Sequence, residues 1–129
     1  MKKSLSIILV LLLSIGLCAC GSGKTAKLHV TEKNWYEFGS EVTGELNQDF
    51  KDGDKISFES SSDINLKVVK VTDDYVTIKS NYILSSSKAS PNGIDMSAKT
   101  KTFKIYKGES VTLSTLSFDA GWNYQIAFE

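Results

Sequence analysis

Through most of the chain, apolar and polar residues alternate with a period of two, the spacing of half-buried β-strands. Leu28 and Val30 open the pattern. After the turn signal Asp52-Gly53-Asp54, Ile56 and Phe58 alternate with Ser57 and Glu59. The clearest hairpin spans Ile64 to Leu84. Its first arm carries Ile64, Leu66 and Val68 and then slips phase to Val69 and Val71, which predicts a β-bulge. Thr72-Asp73-Asp74 supplies the turn. The return arm sets Val76, Ile78, Tyr82 and Leu84 against Thr77, Lys79 and Asn81, and it is long enough to bend and serve two sheets. Phe103 and Ile105 share a face, Lys107-Gly108-Glu109 turns the chain, and Val111 and Leu113 resume the inward face. The last strand is the most regular: Trp122, Tyr124, Ile126 and Phe128 point one way, and only burial repays four such side chains.

Other segments carry weaker patterns. Trp35, Tyr36 and Phe38 sit in a stretch that reads as a short helical turn after Thr31 or as an irregular edge strand. The residues through Gly39, Gly44 and Asn47 are polar and read as loop. Ser85 to Lys99 reads as a 15-residue polar loop with Pro91-Asn92-Gly93 near its centre, a length that in compact domains marks a functional or disordered segment. Gly53 and Gly108 introduce strands in the same manner, which reads as ordinary turn chemistry rather than an internal repeat. Seven or eight short strands without helix predict an all-β domain. The expectation is a small antiparallel β-sandwich, Ig-like or jelly-roll-like, with a partly closed β-barrel as the alternative.

The amino terminus has a different pattern. Lys2 and Lys3 precede a 13-residue apolar run from Leu5 to Leu17. A bilayer-spanning helix needs about 20 such residues, so the run reads as a secretory signal peptide ending at a small residue, Ala19. Leu17-Cys18-Ala19-Cys20 resembles the lipobox of bacterial lipoproteins. Cys20 rather than Cys18 fits that pattern, because it leaves Ala19 at the small cleavage position and Leu17 two residues before it. The resemblance implies removal of residues 1–19 and diacylglycerol and palmitate on Cys20. It also implies a lipid anchor on the extracytoplasmic face of the cell membrane. Residues 20–26 then form a flexible tether and 27–129 the domain. The whole resembles the short all-β lipoproteins of low-GC Gram-positive bacteria.

Gly21-Ser22-Gly23-Lys24-Thr25 also resembles the end of a phosphate-binding loop, but the pattern needs glycine where Cys18 stands and a helix after Thr25. No nucleotide is expected. The mature chain would hold 13 lysines and 15 carboxylates, with no arginine. That balance argues against nucleic acid, which demands clustered basic charge. With Cys18 removed and Cys20 acylated, no thiol remains for a disulfide or thiolate metal site.

Candidate chemistry is sparse. His29, the single histidine, falls opposite Leu28 and Val30 in the alternation and reads as solvent-facing rather than as a catalytic base. Asp49, Asp52, Asp54 and Glu59 do not match a calcium loop, and a solvated turn explains them. No cofactor or metal is expected. Trp35 and Tyr36 are the aromatics least explained by alternation. Core packing under an irregular amino-terminal segment accounts for them better than stacking on a sugar or anchoring a protein partner, for which they are the candidate residues. Ile94 and Met96, isolated in the 85–99 loop, are candidate apolar anchors. The expected role is a non-enzymatic binding or accessory module holding an envelope protein or glycan near the membrane. The alternative is a protease inhibitor or sensor partner acting through the 85–99 loop.

Overall fold

A computed structural model describes residues 23–90, 93–117 and 119–129; for 88–90 and 93–99 only the backbone is described. The strands are β1 (Thr25–Tyr36), β2 (Gly39–Lys51), β3 (Lys55–Ile56), β4 (Leu66–Val71), β5 (Tyr75–Ser90), β6 (Gly93–Tyr106), β7 (Ser110–Thr115) and β8 (Ala120–Phe128). A short 3-10 turn at Glu59–Ser61 interrupts the β3–β4 connection. Every pairing is antiparallel, in the order β2-β1-β8-β7-β5-β4-β3, with β6 on the other edge of β5. The all-β class read from the alternation is present. One continuous sheet curls into a half-barrel, the form expected as the alternative to a two-sheet sandwich.

β5 makes the sheet continuous. Its first half pairs with β4 at Leu66↔Ser80 through Val71↔Val76, and its second half with β7 at Leu84↔Thr115 through Lys88↔Val111. β6 follows both halves, with a register break between Lys79 and Leu84. β5 therefore turns a corner at 81–83 and leaves one limb of the sheet for the other, as its length suggested. The corner swings Tyr82 out of the inward row and leaves it half-exposed. The bulge read at Val68–Val69 is also present, as a register shift between Val68 and Lys70.

The register gives the half-barrel two unlike ends. At one end lie the start of β1, the turns at 52–54, 72–74 and 107–109, and the carboxyl terminus. Backbone bonds knit this end shut: Gly53 N–H to the Val68 carbonyl (2.7 Å), Gly108 N–H to Phe128 (2.7 Å), Phe128 N–H to Glu109 (3.0 Å) and Lys107 N–H to Asp74 (2.9 Å). Gly53 and Gly108 both have φ near +90° (92° and 86°), where a side chain would be strained, so the two similar turns share a conformational need. At the other end, the mouth, are the β1–β2 turn, the 57–65 connection, the β5 corner and the β7–β8 connection.

Three expectations change. Residues 39–51, read as loop, form β2. A bulge opposite Glu32 and Lys33 breaks its alternation, and as an edge strand it buries only Phe50 fully. Residues 85–99 are not a loop: β5 continues to Ser90 and β6 starts at Gly93. Serine is a weak strand former, but Ser85–Ser87 pair on both edges, with β6 and β7, and pairing overrides propensity. Finally, the sheet begins at Thr25, and Ala26, expected in the tether, is core at 1 % exposure.

Candidate functional site

Along β1 the inward row runs Ala26, Leu28, Val30 and then Glu32, all buried. The fourth is a carboxylic acid at 0 % exposure, and a carboxyl so placed must be hydrogen-bonded or it is costly. Three hydroxyls meet it. Thr43 donates to Oε1 at 2.7 Å, Ser60 donates to the same oxygen, and Ser61 donates to Oε2. Each has a structural cause. Gly44 pairs with Glu32 and Val42 with Lys33, so Thr43 is the extra residue of the β2 bulge and is thereby aimed at the carboxyl. The 3-10 turn brings Ser60 and Ser61 in from the opposite limb.

Tyr124 pairs directly with Glu32 on β8 and faces the same interior. Its hydroxyl donates to Ser61 Oγ at 2.7 Å. Burial pushes the phenol up to about 12, opposed in part by the Ser61 hydrogen bond, while the Glu32 carboxyl adds to the rise. The phenol thus keeps its proton, and donation runs from Tyr124 through Ser61 to Glu32. Phe58 closes the cluster from above, stacked on Tyr124 with ring centroids 6.2 Å apart. A Cβ at Gly44 would collide with the Phe58 ring, so glycine is required there.

Outside this buried network the mouth opens into a cleft of about 410 Å³. Ser60–Ile64 line one side, the β5 corner Tyr82–Leu84 another, and Thr115, Leu116 and Trp122 the third. Tyr82, Ile83 and Leu116 are each 51 % exposed. Phe38, in the β1–β2 turn of the same end, is 89 % exposed. Ser60 is shared with a second, shallower depression floored by Thr43, Phe58 and Glu59. The cleft volume falls in the range of ligand sites, which combine apolar walls with a few polar groups.

The chain matches no protein-family model, curated protein or solved structure.

The residues read from the sequence distribute as follows. Trp35 and Tyr36 lie on β1, paired on both sides with β2 and β8, so they are neither in a helical turn nor on an edge. Trp35 lies across Gly121, where a Cβ would come within 2.9 Å of its ring, and Tyr36 is half-exposed over Gly39. Both stand at the mouth end without lining the cleft. Ile94 and Met96 are on β6, paired with Ala89 and Ser87. They therefore do have a strand, and their side chains lie outside the described residues, as does Cys20. His29 faces outward and meets the exposed Glu45. Asp52 and Asp54 accept from the backbone N–H groups of Val71 (2.7 Å) and Lys51 (3.0 Å), which matches the turn reading. Thr25 opens a strand, not the helix a phosphate-binding loop needs. The sequence reading missed Glu32 and Ser61, while the length of the β5 arm announced its bend. Parity was the available signal for Glu32, which shares the face of Leu28 and Val30.

Proposed function

We propose that the chain is a lipid-anchored, non-enzymatic binding module of the cell envelope. In this reading Cys20 carries the lipid, and the mouth cleft receives an apolar side chain from an extended segment of an envelope protein. The observation that carries the reading is the position of the cleft. It lies at the end of the sheet opposite the point where the chain enters β1. Trp122, which lines the cleft, pairs with Asn34, nine residues along β1 from Thr25, which at about 3.3 Å per residue is roughly 30 Å. An anchor at Cys20 would leave the mouth unobstructed.

The rim favours protein over sugar. Ile83 and Leu116 stand half-exposed on the rim, and aliphatic groups offer no stacking face to a sugar ring. Around them the Ser60 and Ser62 hydroxyls and the Asp63 carboxylate provide partners for a peptide backbone. Binding is favoured over catalysis because the Glu32 carboxyl is closed off from water and engaged by three hydroxyls, and the Tyr124 proton is committed to Ser61.

Photo-crosslinking in living cells tests this. Benzoylphenylalanine at Tyr82 or Leu116 is expected to give a discrete heavier species containing an envelope protein, while the same group at Thr31, on the outer face of β1, gives none. Equal crosslinking at all three positions contradicts the reading. The anchor is tested separately: mass spectrometry of membrane-extracted protein is expected to show a lipidated peptide beginning at Cys20 that Cys20→Ala abolishes. A first peptide beginning at Cys18 contradicts it.

A further inference from the structure

Charge is unevenly spread over the outside of the half-barrel. Lys55, Lys67 and Lys79 form one cross-strand row, because Lys55 pairs with Lys67 and Lys67 with Lys79. One row nearer the closed end, Lys70 pairs with Thr77 and Thr77 with Lys104. Beyond them Tyr75 and Tyr106 are paired, with ring centroids 5.8 Å apart, and Lys104 Nζ stands 4.2 Å from the centre of the Tyr75 ring. All five lysines are exposed. Residues 55–56, 66–71, 75–80 and 100–106, which build this face, include no aspartate or glutamate. Among the described residues, the ion pairs involve Lys24, Lys27 and His29, and none of the five. Like charges placed directly opposite across strands are destabilising. A chain with more carboxylates than lysines in its mature part nevertheless gathers five lysines here.

We propose that this face rests on the anionic phospholipid headgroups of the membrane that carries the anchor. The proposal builds on the anchoring reading above and adds an orientation to it. Two further observations point to lipid. The chain enters the domain beside this face, since Lys24 pairs with Asp73 in the β4–β5 turn at 3.2 Å, and only three residues separate Lys24 from Cys20. The tyrosine pair stands at that same end, and tyrosine and lysine together are the residues that settle at a membrane–water interface. A lysine close to an anionic bilayer contributes on the order of fivefold in affinity. With this face down, the mouth opens sideways along the membrane, toward a partner segment close to the bilayer.

The test uses the full chain purified from membranes and reconstituted into phosphatidylcholine vesicles with or without phosphatidylglycerol. Acetylation rates of individual lysines are read by mass spectrometry. Lys55, Lys67, Lys70, Lys79 and Lys104 are expected to react about fivefold more slowly on phosphatidylglycerol vesicles at low salt. The effect should vanish in high salt, with Lys33 and Lys51 on β1 and β2 unchanged throughout. In the Lys67→Gln/Lys79→Gln protein the remaining three should lose most of their protection. Retention on plain phosphatidylcholine through high salt reports the anchor alone, so a chain that stays bound with its five lysines equally reactive on both vesicles overturns this proposal and leaves the anchor standing. Protection by soluble poly(glycerol phosphate) but not by phosphatidylglycerol also overturns it, by assigning the face to a phosphodiester polymer.

Discussion

The two halves of the half-barrel interior are built on the same strands and are equally buried, yet they differ in chemistry. Toward the closed end, β1 turns Ala26, Leu28 and Val30 inward and β8 answers with Ile126 and Phe128, all apolar. One step further along the same two strands the facing pair is Glu32 and Tyr124, tied to hydroxyls from β2 and from the 3-10 turn. The closed half gains stability by removing apolar surface from water. The mouth half holds polar groups that reach rough neutrality only when every hydrogen bond is made. Such a half contributes little to stability and shapes a cleft at its outer edge. On the proposed reading, folding belongs to the closed half and recognition to the mouth.

The largest effect should come from the closed half. Leu28→Ala or Ile126→Ala is expected to cost about 2–5 kcal/mol in urea unfolding, because each removes a fully buried side chain from a close-packed core. Gly44→Ala should follow at about 1–3 kcal/mol, since the added methyl displaces Phe58 from its place over Tyr124. Loss of stability there comparable to Leu28→Ala would show that the mouth half carries as much of the fold as the closed half. Tyr124→Phe should cost only about 1 kcal/mol, the net value of one hydrogen bond to Ser61.

The last effect is one of pH. Burial holds the Tyr124 phenol at about 12 against an ordinary 10, so at alkaline pH the folded chain keeps a proton that the unfolded chain has lost. The corresponding stability is fully present below about pH 10 and is lost as pH rises through about 12. Ultraviolet titration should show a tyrosine phase in that upper window. In Tyr124→Phe both this phase and its share of the alkaline loss of stability should disappear. Persistence of the phase in that variant would place the shifted phenol elsewhere.

Much of the fold was legible because burial on one face leaves period-two alternation. The hairpin with its bulge at Val69, the three glycine or aspartate turns and the β8 row Tyr124, Ile126 and Phe128 are all present as read. What failed to read depends on partners distant in sequence. β2 hides because its bulge breaks the alternation, and that same bulge delivers Thr43 to Glu32. The second half of β5 hides because serine carries no strand signal, and its pairing with β6 and β7 is a property of the assembled sheet. Glu32 breaks the apolar rule in its own row, so it reads as the end of a strand until Ser60 and Ser61, 28 and 29 residues away, explain its burial. The length of β5 announced its bend, but the cleft also needs the 57–65 and β7–β8 connections, and no local pattern brings the three together.

The most direct measurement sets recognition against stability in a single protein. Ile83→Ser/Leu116→Ser alters two half-exposed rim residues and should leave the melting temperature nearly unchanged, as surface substitutions usually do. Crosslinking from benzoylphenylalanine at Tyr82 to the envelope partner should nevertheless fall more than about tenfold, the loss expected when apolar anchors leave a binding cleft. Undiminished crosslinking in a protein that melts like the parent would contradict the assignment of recognition to the mouth.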